Sequence, residues 1–260
     1  MQMTISIITV CYNSSKSIAD TIESVLAQDV VQLEYLVIDG ASEDNTVAIA
    51  ESYRTRFAQK GFSYIIQSEP DKGIYDAMNK GVRLASGTIV GILNSDDCYA
   101  ASDVLSSVLT AFEENHTETA YGNLMYVKNN KPYRYWKSGK YVSFKYGWMP
   151  PHPSCFVRKD AYEKYGMYRF DCGVNADYEL MLRFLEKEKA STVWIDRVLV
   201  KMAAGGASGN GLKSRAVGMR NDQLAWKVNG MKCYFYTILL KKIRKIPQFF
   251  LAKMQKGEIK

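Results

Sequence analysis

Two periodicities alternate along the first hundred residues. ISIITV at 5–10 is a continuous apolar, β-branched run that reads as a buried strand, and it ends at the turn-forming Asn13-Ser14-Ser15. From Ser17 the apolar positions Ile18, Ile22, Val25 and Leu26 recur at helical spacing, which predicts a helix to about Gln28. YLVID at 35–39 predicts a second strand, GASEDNT a loop with Asp44 or Asn45 as N-cap, and 45–58 a second helix. Strand FSYIIQ (62–67), the break EPDKG, a helix over 74–85 and strand TIVGIL (88–93) follow. The order βαβαβαβ is the pattern of a parallel sheet with helices on both faces.

After Asp97 the pattern loosens. A helix is expected over 102–114, strand-like stretches near 119–127 and 132–136, and a short strand leading into a helix within PPHPSCFVRKDAYEKYG. NADYELMLRFLEK (175–187) reads as an amphipathic helix, and VWID (193–196) and VLVKM (198–202) as closing strands. GGASGNG after them is a glycine-rich loop, and a terminal extension begins near Asp222.

Charge changes this picture more than composition does. The 260 residues are 47% hydrophobic and 23% charged, an ordinary globular balance. The net charge of +7 is unevenly spread: residues 231–260 carry eight Lys and Arg against Glu258 alone, leaving 26 of each sign in residues 1–230. The tail interleaves Lys241, Lys242, Arg244 and Lys245 with Phe235, Ile238, Leu239, Ile243, Ile246, Phe249, Phe250 and Leu251. That mixture suits an anionic membrane surface and not nucleic acid, whose binders spread cations over a folded face. The alternative is a helix packed on the body with its lysines in water. Pro247 divides such a segment into two short helices. No run reaches the roughly 18 apolar residues of a spanning helix, and the N-terminus lacks the basic start of a signal peptide, so a cytoplasmic protein is expected, peripheral on the inner membrane face at most. Five cysteines without a CxxC fit a reducing compartment, and with only His116 and His152 any metal would be a hard cation on carboxylates.

In an open parallel sheet, ligands bind at the carboxyl ends of the strands. Three acidic loops fall there: Asp39 after the second strand, Asp71 after the third, and Asn94-Ser95-Asp96-Asp97 after the fourth. One acid after a strand is commonly a helix cap, but three at successive strand ends repel one another unless a cation or donor-rich ligand lies between them. GxGxxG is absent after the first strand, where TVCYNSSKS stands, and so is GxxxxGK[ST]. A bound pyrophosphate would then be neutralised by a metal on carboxylates.

SIITVCYN, EYLVIDGASEDNT, EPDKGIYDAMNKGVRLASGTIVGILNSDD and NADYELMLR, in this order and spacing, resemble the family 2 glycosyltransferases, and among them the bacterial exopolysaccharide and colanic-acid type. The resemblance covers roughly residues 3–210. It implies the GT-A fold, an α/β architecture whose mostly parallel central sheet is flanked by helices. Residues 1–98 would form the nucleotide-sugar half of that domain, 99–221 the acceptor and catalytic half, and 222–260 the basic extension. It also implies an inverting, metal-dependent hexosyltransferase acting from a nucleotide-diphosphate-sugar on a glycan or lipid-linked glycan in cell-surface polysaccharide synthesis. A catalytically silent nucleotide-sugar-binding subunit and a nucleotidyltransferase are the rival readings.

By the same resemblance, Thr9 to Asn13 contacts the nucleotide, with Tyr12 beside the base. Asp39 recognises the base, although many relatives have two aspartates where this chain has Asp39-Gly40. Asp71 and Lys72 contact the nucleoside. Asn94, Ser95, Asp96 and Asp97 match the metal motif, usually an Asp-x-Asp variant, so Asp96 and Asp97 are the expected ligands of Mg²⁺ or Mn²⁺. Asp177 matches the catalytic base. Its alternative is to cap the helix it begins, and its competitor Glu179 lies about 200° around that helix. His152 and Trp148 fall on the acceptor side, His152 against a sugar hydroxyl or as a satisfied half-buried histidine, Trp148 stacked on a sugar or packed in the core. Gly205-Gly206-Ala207-Ser208 is a simple turn or a lid over bound donor.

Overall fold

The computed structural model describes residues 3–129, 131–204 and 212–254. The first half follows the sequence pattern: β1 (Ile5–Cys11), α1 (Ile18–Leu26), β2 (Leu33–Asp39), α2 (Thr46–Glu51), α3 (Arg54–Gln59), β3 (Ser63–Ser68), α4 (Ile74–Leu84) and β4 (Ile89–Ile92). The single helix expected over 45–58 is broken at Ser52-Tyr53 into α2 and α3. Next come β5 (Asp97–Tyr99), α5 (Val104–Asn115), β6 (Thr119–Lys128), β7 (Lys131–Trp136), β8 (Cys155–Arg158) and α6 (Lys159–Tyr165). The chain then runs through α7 (Ala176–Met181), which continues as a π-helical turn over Leu182–Lys187, and β9 (Thr192–Ala203). It ends in α8 (Leu212–Val228), α9 (Phe235–Ile243) and α10 (Ile246–Met254). The two closing strands expected at 193–202 are one continuous strand, β9, and β5 begins at Asp97, where only a loop was expected.

The strands form one sheet in the order β3-β2-β1-β4-β8-β6-β9-β5, with β7 added to β6. β3, β2, β1 and β4 are mutually parallel, with Cys11 beside Asp39 and Asp39 beside Ser68 in register. Beyond β4 the sheet is mixed: β8, β7 and β5 run antiparallel to their neighbours, and only β6 and β9 pair in parallel. The mostly parallel sheet expected from the sequence is thus fully parallel in its first half and mixed in its second, where β6 and β9 keep a parallel pairing.

All seven residues of β1 are buried, so its side chains supply both faces of the sheet. Ile8 and Val10 enter a core shared with α4 and with Trp148, Tyr178 and Trp226, whereas Ile5, Ile7 and Cys11 join α1, Tyr35 and Phe57 on the opposite face. The boundary expected at 221–222 falls inside α8, whose Ala225 and Trp226 are fully buried and whose indole N–H donates to the Tyr178 hydroxyl at 2.9 Å. Residue 98 likewise lies inside β5, which pairs with β9.

The tail forms two short helices, as expected, and Pro247 occupies the first turn of α10, where its missing N–H is no loss. One side of these helices packs on the body. The Thr237 hydroxyl donates to Lys145 O at 2.8 Å, Lys241 pairs with Asp222 at 2.7 Å, and Ala252 is buried beside Met125 and Tyr135. Gly147 makes the α9 contact possible. Its φ of +71° is in the left-handed region, and a Cβ there would run into the backbone of Leu240 and Lys241. We expect Gly147→Ala to cost about 1–3 kcal/mol by combining backbone strain with overpacking. Thermal melting and limited proteolysis around residues 233–246 read this out, as a lower Tm and faster cleavage than in the parent chain.

Candidate active site

The carboxyl ends of β1 and β2 are laced together by short polar side chains. Asn13, at φ 49°, accepts the Glu43 N–H at 2.9 Å through Oδ1, and its own N–H donates to Ser42 Oγ at 2.8 Å. Tyr12 beside it is 59% exposed and stands free at the rim. Asp39 is only 1% exposed: it accepts the Ser42 N–H at 2.8 Å and the Ser68 hydroxyl at 2.7 Å, with the Cys11 thiol also pointing at it. Asp39 thus belongs to the floor of the crevice. Burial pushes the Cys11 thiol far up, and the charges of Asp39, Asp44 and Asp71 push it further. Asp44 is held well below the usual carboxylate range by hydrogen bonds from Thr46 and Ser15, and it caps α2 by accepting the Thr46 N–H.

Gly40 explains how Asp71 joins this group. A Cβ at residue 40 would sit 2.5 Å from Asp71 Oδ2. The glycine that replaces a second aspartate therefore leaves room for a carboxylate arriving from the next loop. Asp71 in turn accepts the Gly73 N–H at 2.7 Å, and Lys72 is exposed next to it. Thr9 does not reach the crevice: its side chain is fully buried on the far face and accepts the Tyr35 hydroxyl at 2.9 Å. The strand alternation that buries Ile7 and Cys11 carries Thr9 to the same side.

Asn94-Ser95-Asp96-Asp97 joins β4 to β5. Ser95 Oγ lies 2.8 Å from Ser14 Oγ, tying this loop to the one after β1. Asp96 keeps part of its surface open, whereas Asp97 is fully buried. The departure at Asn94 has a structural consequence, because its amide donates to Asp97 Oδ2 at 2.9 Å where an aspartate would add repulsion. Asn94 Oδ1 and Asp97 Oδ1 are buried without a hydrogen-bond partner. Desolvation, then the charge of Asp96, pushes the Asp97 carboxyl up to about 8. Orphaned oxygens beside an uncompensated acid pair fit a hard cation. Among the described residues no three His, Cys, Asp or Glu side chains converge, so the chain offers an incomplete set, as Mg²⁺ sites shared with substrate phosphates do.

At the other end of the crevice, Asp177 is the second residue of α7, and Asn175 occupies the cap position before that helix. The cap-only alternative for Asp177 is thereby removed. The Tyr75 hydroxyl lies between Val174 O at 2.9 Å and Asp177 Oδ1 at 3.2 Å, while Asp177 Oδ2 has no partner among the described residues. Tyr75 stacks on Tyr168 with ring centroids 5.7 Å apart, and the Tyr168 hydroxyl is 2.7 Å from His152 Nε2. His152 is buried, and desolvation lowers its pKa against the opposing pull of Asp177. Burial raises the pKa of the Tyr126 hydroxyl, Arg134 opposes that shift, and the charges of Asp97 and Asp177 add to it. Glu179 is fully buried, receives two Arg183 hydrogen bonds at 2.9 Å, and accepts Asn229 Nδ2 at 2.9 Å. It is engaged on every side.

Trp148 is a core residue and not a sugar platform. It is 4% exposed, its indole N–H donates to Ser138 O at 2.8 Å, and the edges of Tyr121, Tyr141 and Phe144 pack around it. The residues 205–208 expected to form a lid lie outside the described residues. Sequence reasoning missed Tyr75 and Ser68. Tyr75 stands within EPDKGIYDAMNKG, but only the fold shows that its hydroxyl meets a carboxylate about a hundred residues away.

The Glycosyl transferase family 2 domain matches residues 6–176. An uncharacterized glycosyltransferase of Mycobacterium tuberculosis is 34% identical over 191 residues, 69% of this chain and 68% of that protein. The UDP-Glc:alpha-D-GlcNAc-diphosphoundecaprenol beta-1,3-glucosyltransferase WfgD of Escherichia coli is 33% identical over 130 residues, 48% of this chain and 47% of WfgD. The crystal structure of S. aureus TarS 1-349 superposes with a TM-score of 0.67 at 16% identity, covering 99% of this chain and 76% of TarS. The Pyrobaculum calidifontis mannosyltransferase PcManGT, in complex with GDP-Man and Mn²⁺, gives 0.61 at 15% identity, covering 94% and 74%. The mixed, curled sheet is the GT-A arrangement expected from the sequence.

The environments of the two acids of α7 predict opposite phenotypes for stability. Replacing Glu179 by Leu leaves the Arg183 guanidinium buried without its carboxylate, and urea titration should show a loss of about 3–5 kcal/mol. Asp177→Asn should change the same quantity by less than about 1 kcal/mol.

Proposed function

The chain belongs to glycosyltransferase family 2, and from that premise we propose that it moves a hexose, with inversion, from a nucleotide-diphosphate-sugar to a glycan or lipid-linked glycan acceptor. The observation that carries this reading is the Asp177 oxygen that has no partner among the described residues, beside the Tyr75 hydroxyl that takes the other. Asp177 Oδ2 takes the proton of the acceptor hydroxyl as that oxygen attacks the anomeric carbon. The bond from that carbon to the diphosphate oxygen breaks on the opposite face, and its electron pair leaves with the nucleoside diphosphate. Tyr75 holds Asp177 Oδ1 and so leaves Oδ2 for the proton. Tyr12, Asn13, Asp71 and Lys72 border the nucleoside, above the floor that Asp39 makes with Ser42 and Ser68. Asp96, with Asp97 and Asn94 behind it, would hold the divalent cation, which when bound stabilises negative charge on the departing diphosphate.

The relatives support the two substrates at the level of their names. TarS has been crystallised with UDP-GlcNAc, and WfgD is named for a diphosphoundecaprenol-linked acceptor. A lipid-linked acceptor requires access to a membrane, and the outer face of the tail offers it. Among the described residues no helix is long and apolar enough to cross a bilayer. Phe235, Leu239 and Ile243, spaced by four on α9, and Ile246 and Phe250 on α10 are all exposed, Phe235 at 92% and Phe250 at 65%. With the exposed Lys242 beside them, they form an apolar stripe with a basic margin suited to anionic lipid. Lys241 and Arg244 turn toward the body instead, pairing with Asp222 and Tyr146 O, so the anchor rests on fewer cations than the sequence suggested.

Three outcomes follow from this reading. Asp177→Asn should lower kcat by about 10²–10⁴-fold, with donor affinity by calorimetry within a few-fold of the parent. Excess EDTA, or Asp96→Ala, should remove most donor binding; undiminished transfer in EDTA sinks the metal assignment. Replacing Phe235 and Leu239 by Ser should reduce co-sedimentation with phosphatidylglycerol vesicles, and protein that stays in the supernatant before any substitution rules out the anchor.

A further inference from the structure

A second concave site lies away from the acidic crevice, between the tail and the end of β7. It is a cavity of about 190 Å³, far more than the roughly 10–15 Å³ that one water requires, lined among others by Lys137, Lys241, Arg244, Lys245 and Gln248. Four cations around one concavity repel each other, and the acids nearby do not balance them. Asp196 lies 3.6 Å from Lys137, and Asp222, which also accepts from Asn175 at 2.7 Å, holds Lys241. Arg244 spends only its Nε–H, on Tyr146 O at 2.8 Å, and the paired terminal nitrogens of its guanidinium have no acceptor among the described residues. Lys245 has no acceptor among the described residues. Although the residue is exposed as a whole, partial desolvation and then repulsion from Lys241 and Arg134 lower its ammonium to about 8. Gln248, 7% exposed, also lines the cavity, and its orphaned Oε1 suits a protonated phosphate oxygen or a water that such a group brings. The walls also include tryptophans, Trp136 and Trp148.

We infer that this cavity is an anion site for a phosphate-class group, with Lys245 and the open edge of Arg244 as its principal donors. An anion there relieves the mutual repulsion of the cations and meets the planar donor pair of a guanidinium, which matches phosphate oxygens two at a time. The site is coupled to the crevice through Lys241, Asp222 and Asn175, and Asn175 stands two residues before Asp177. An acceptor that carries its sugar on a diphosphate is therefore the ligand of choice, the phosphates held under the tail while the sugar reaches Asp177. This last step rests on the lipid-linked acceptor proposed above; the anion site itself does not.

The test has two arms on the full chain. In the first, inorganic pyrophosphate is titrated by calorimetry in EDTA into the parent, Lys245→Gln and Lys245→Arg; affinity should fall at least fivefold in the Gln variant and recover in the Arg variant. Equal affinity in all three overturns the site, whichever acceptor the enzyme uses. In the second, transfer is compared between a sugar bearing a diphosphate and the same sugar without it. Lys245→Gln should reduce the ratio of their kcat/KM values about tenfold, and an unchanged ratio overturns the acceptor assignment. If neither sugar is accepted while pyrophosphate binding still depends on Lys245, the anion site stands and the acceptor reading fails. If Lys245→Gln weakens sedimentation with phosphatidylglycerol vesicles but leaves pyrophosphate binding intact, the group is a lipid headgroup and the inference fails.

Discussion

Uncompensated negative charge at the carboxyl edge of the sheet is the constraint around which the rest of this molecule is arranged. Asp39, Asp44, Asp71, Asp96, Asp97 and Asp177 gather there, and none of them is neutralised by a lysine or arginine salt bridge among the described residues. The chain satisfies the acids it uses for structure with neutral donors. Ser42 and Ser68 serve Asp39, Thr46 and Ser15 serve Asp44, and the Gly73 N–H serves Asp71. Such hydrogen bonds stabilise a carboxylate without cancelling its field. The negative field therefore survives folding, while burial and then the charge of Asp96 push the Asp97 carboxyl up to about 8, so that its charged form is favoured when a cation lies beside it.

That arrangement separates two kinds of buried acid. Glu179 lies on the same helix as Asp177, yet it is enclosed by Arg183 and Asn229 and fixes the turn where α7 becomes π-helical. Among the described residues Asp177 has a single tyrosine on one oxygen and no partner on the other. A residue that must accept a proton needs a free lone pair, and a residue that holds two elements together needs none. The partner lists distinguish the two roles better than the chemical similarity of Asp and Glu does.

The sequence made the parallel half of the sheet legible because each strand there is a short apolar run followed by a helix of clear period. The second half was harder to read. Its strands pair antiparallel or bulge, as β6 does against β9 near Gly122, and their burial depends on partners far along the chain. The three acidic loops were legible for the same reason as the strands, since strand ends in such a sheet converge on one edge. Thr9 and Trp148 show that motif matching fixes a residue's place along the chain and not the face on which it emerges, and of the two readings open for Trp148 the fold selects the core. Period-two alternation puts Thr9 under the sheet, and three aromatic neighbours claim Trp148. The extension read correctly as basic and amphipathic, but its composition could not tell which cations turn inward.

The division of charge follows from that inward turn. The body carries equal numbers of acidic and basic residues, yet several of its acids gather at one edge, and Lys241 of the tail is folded back through Asp222 and Asn175 toward the helix that bears Asp177. In the reading proposed above, the acidic crevice seeks a cation and the basic cavity an anion, and the two are linked through Asp222 and Asn175, two residues before Asp177. A donor diphosphate would then approach the acidic loops only together with a cation, while the basic cavity would take the acceptor's phosphates and repel the cation. On that reading each substrate is sorted by charge before shape is tested.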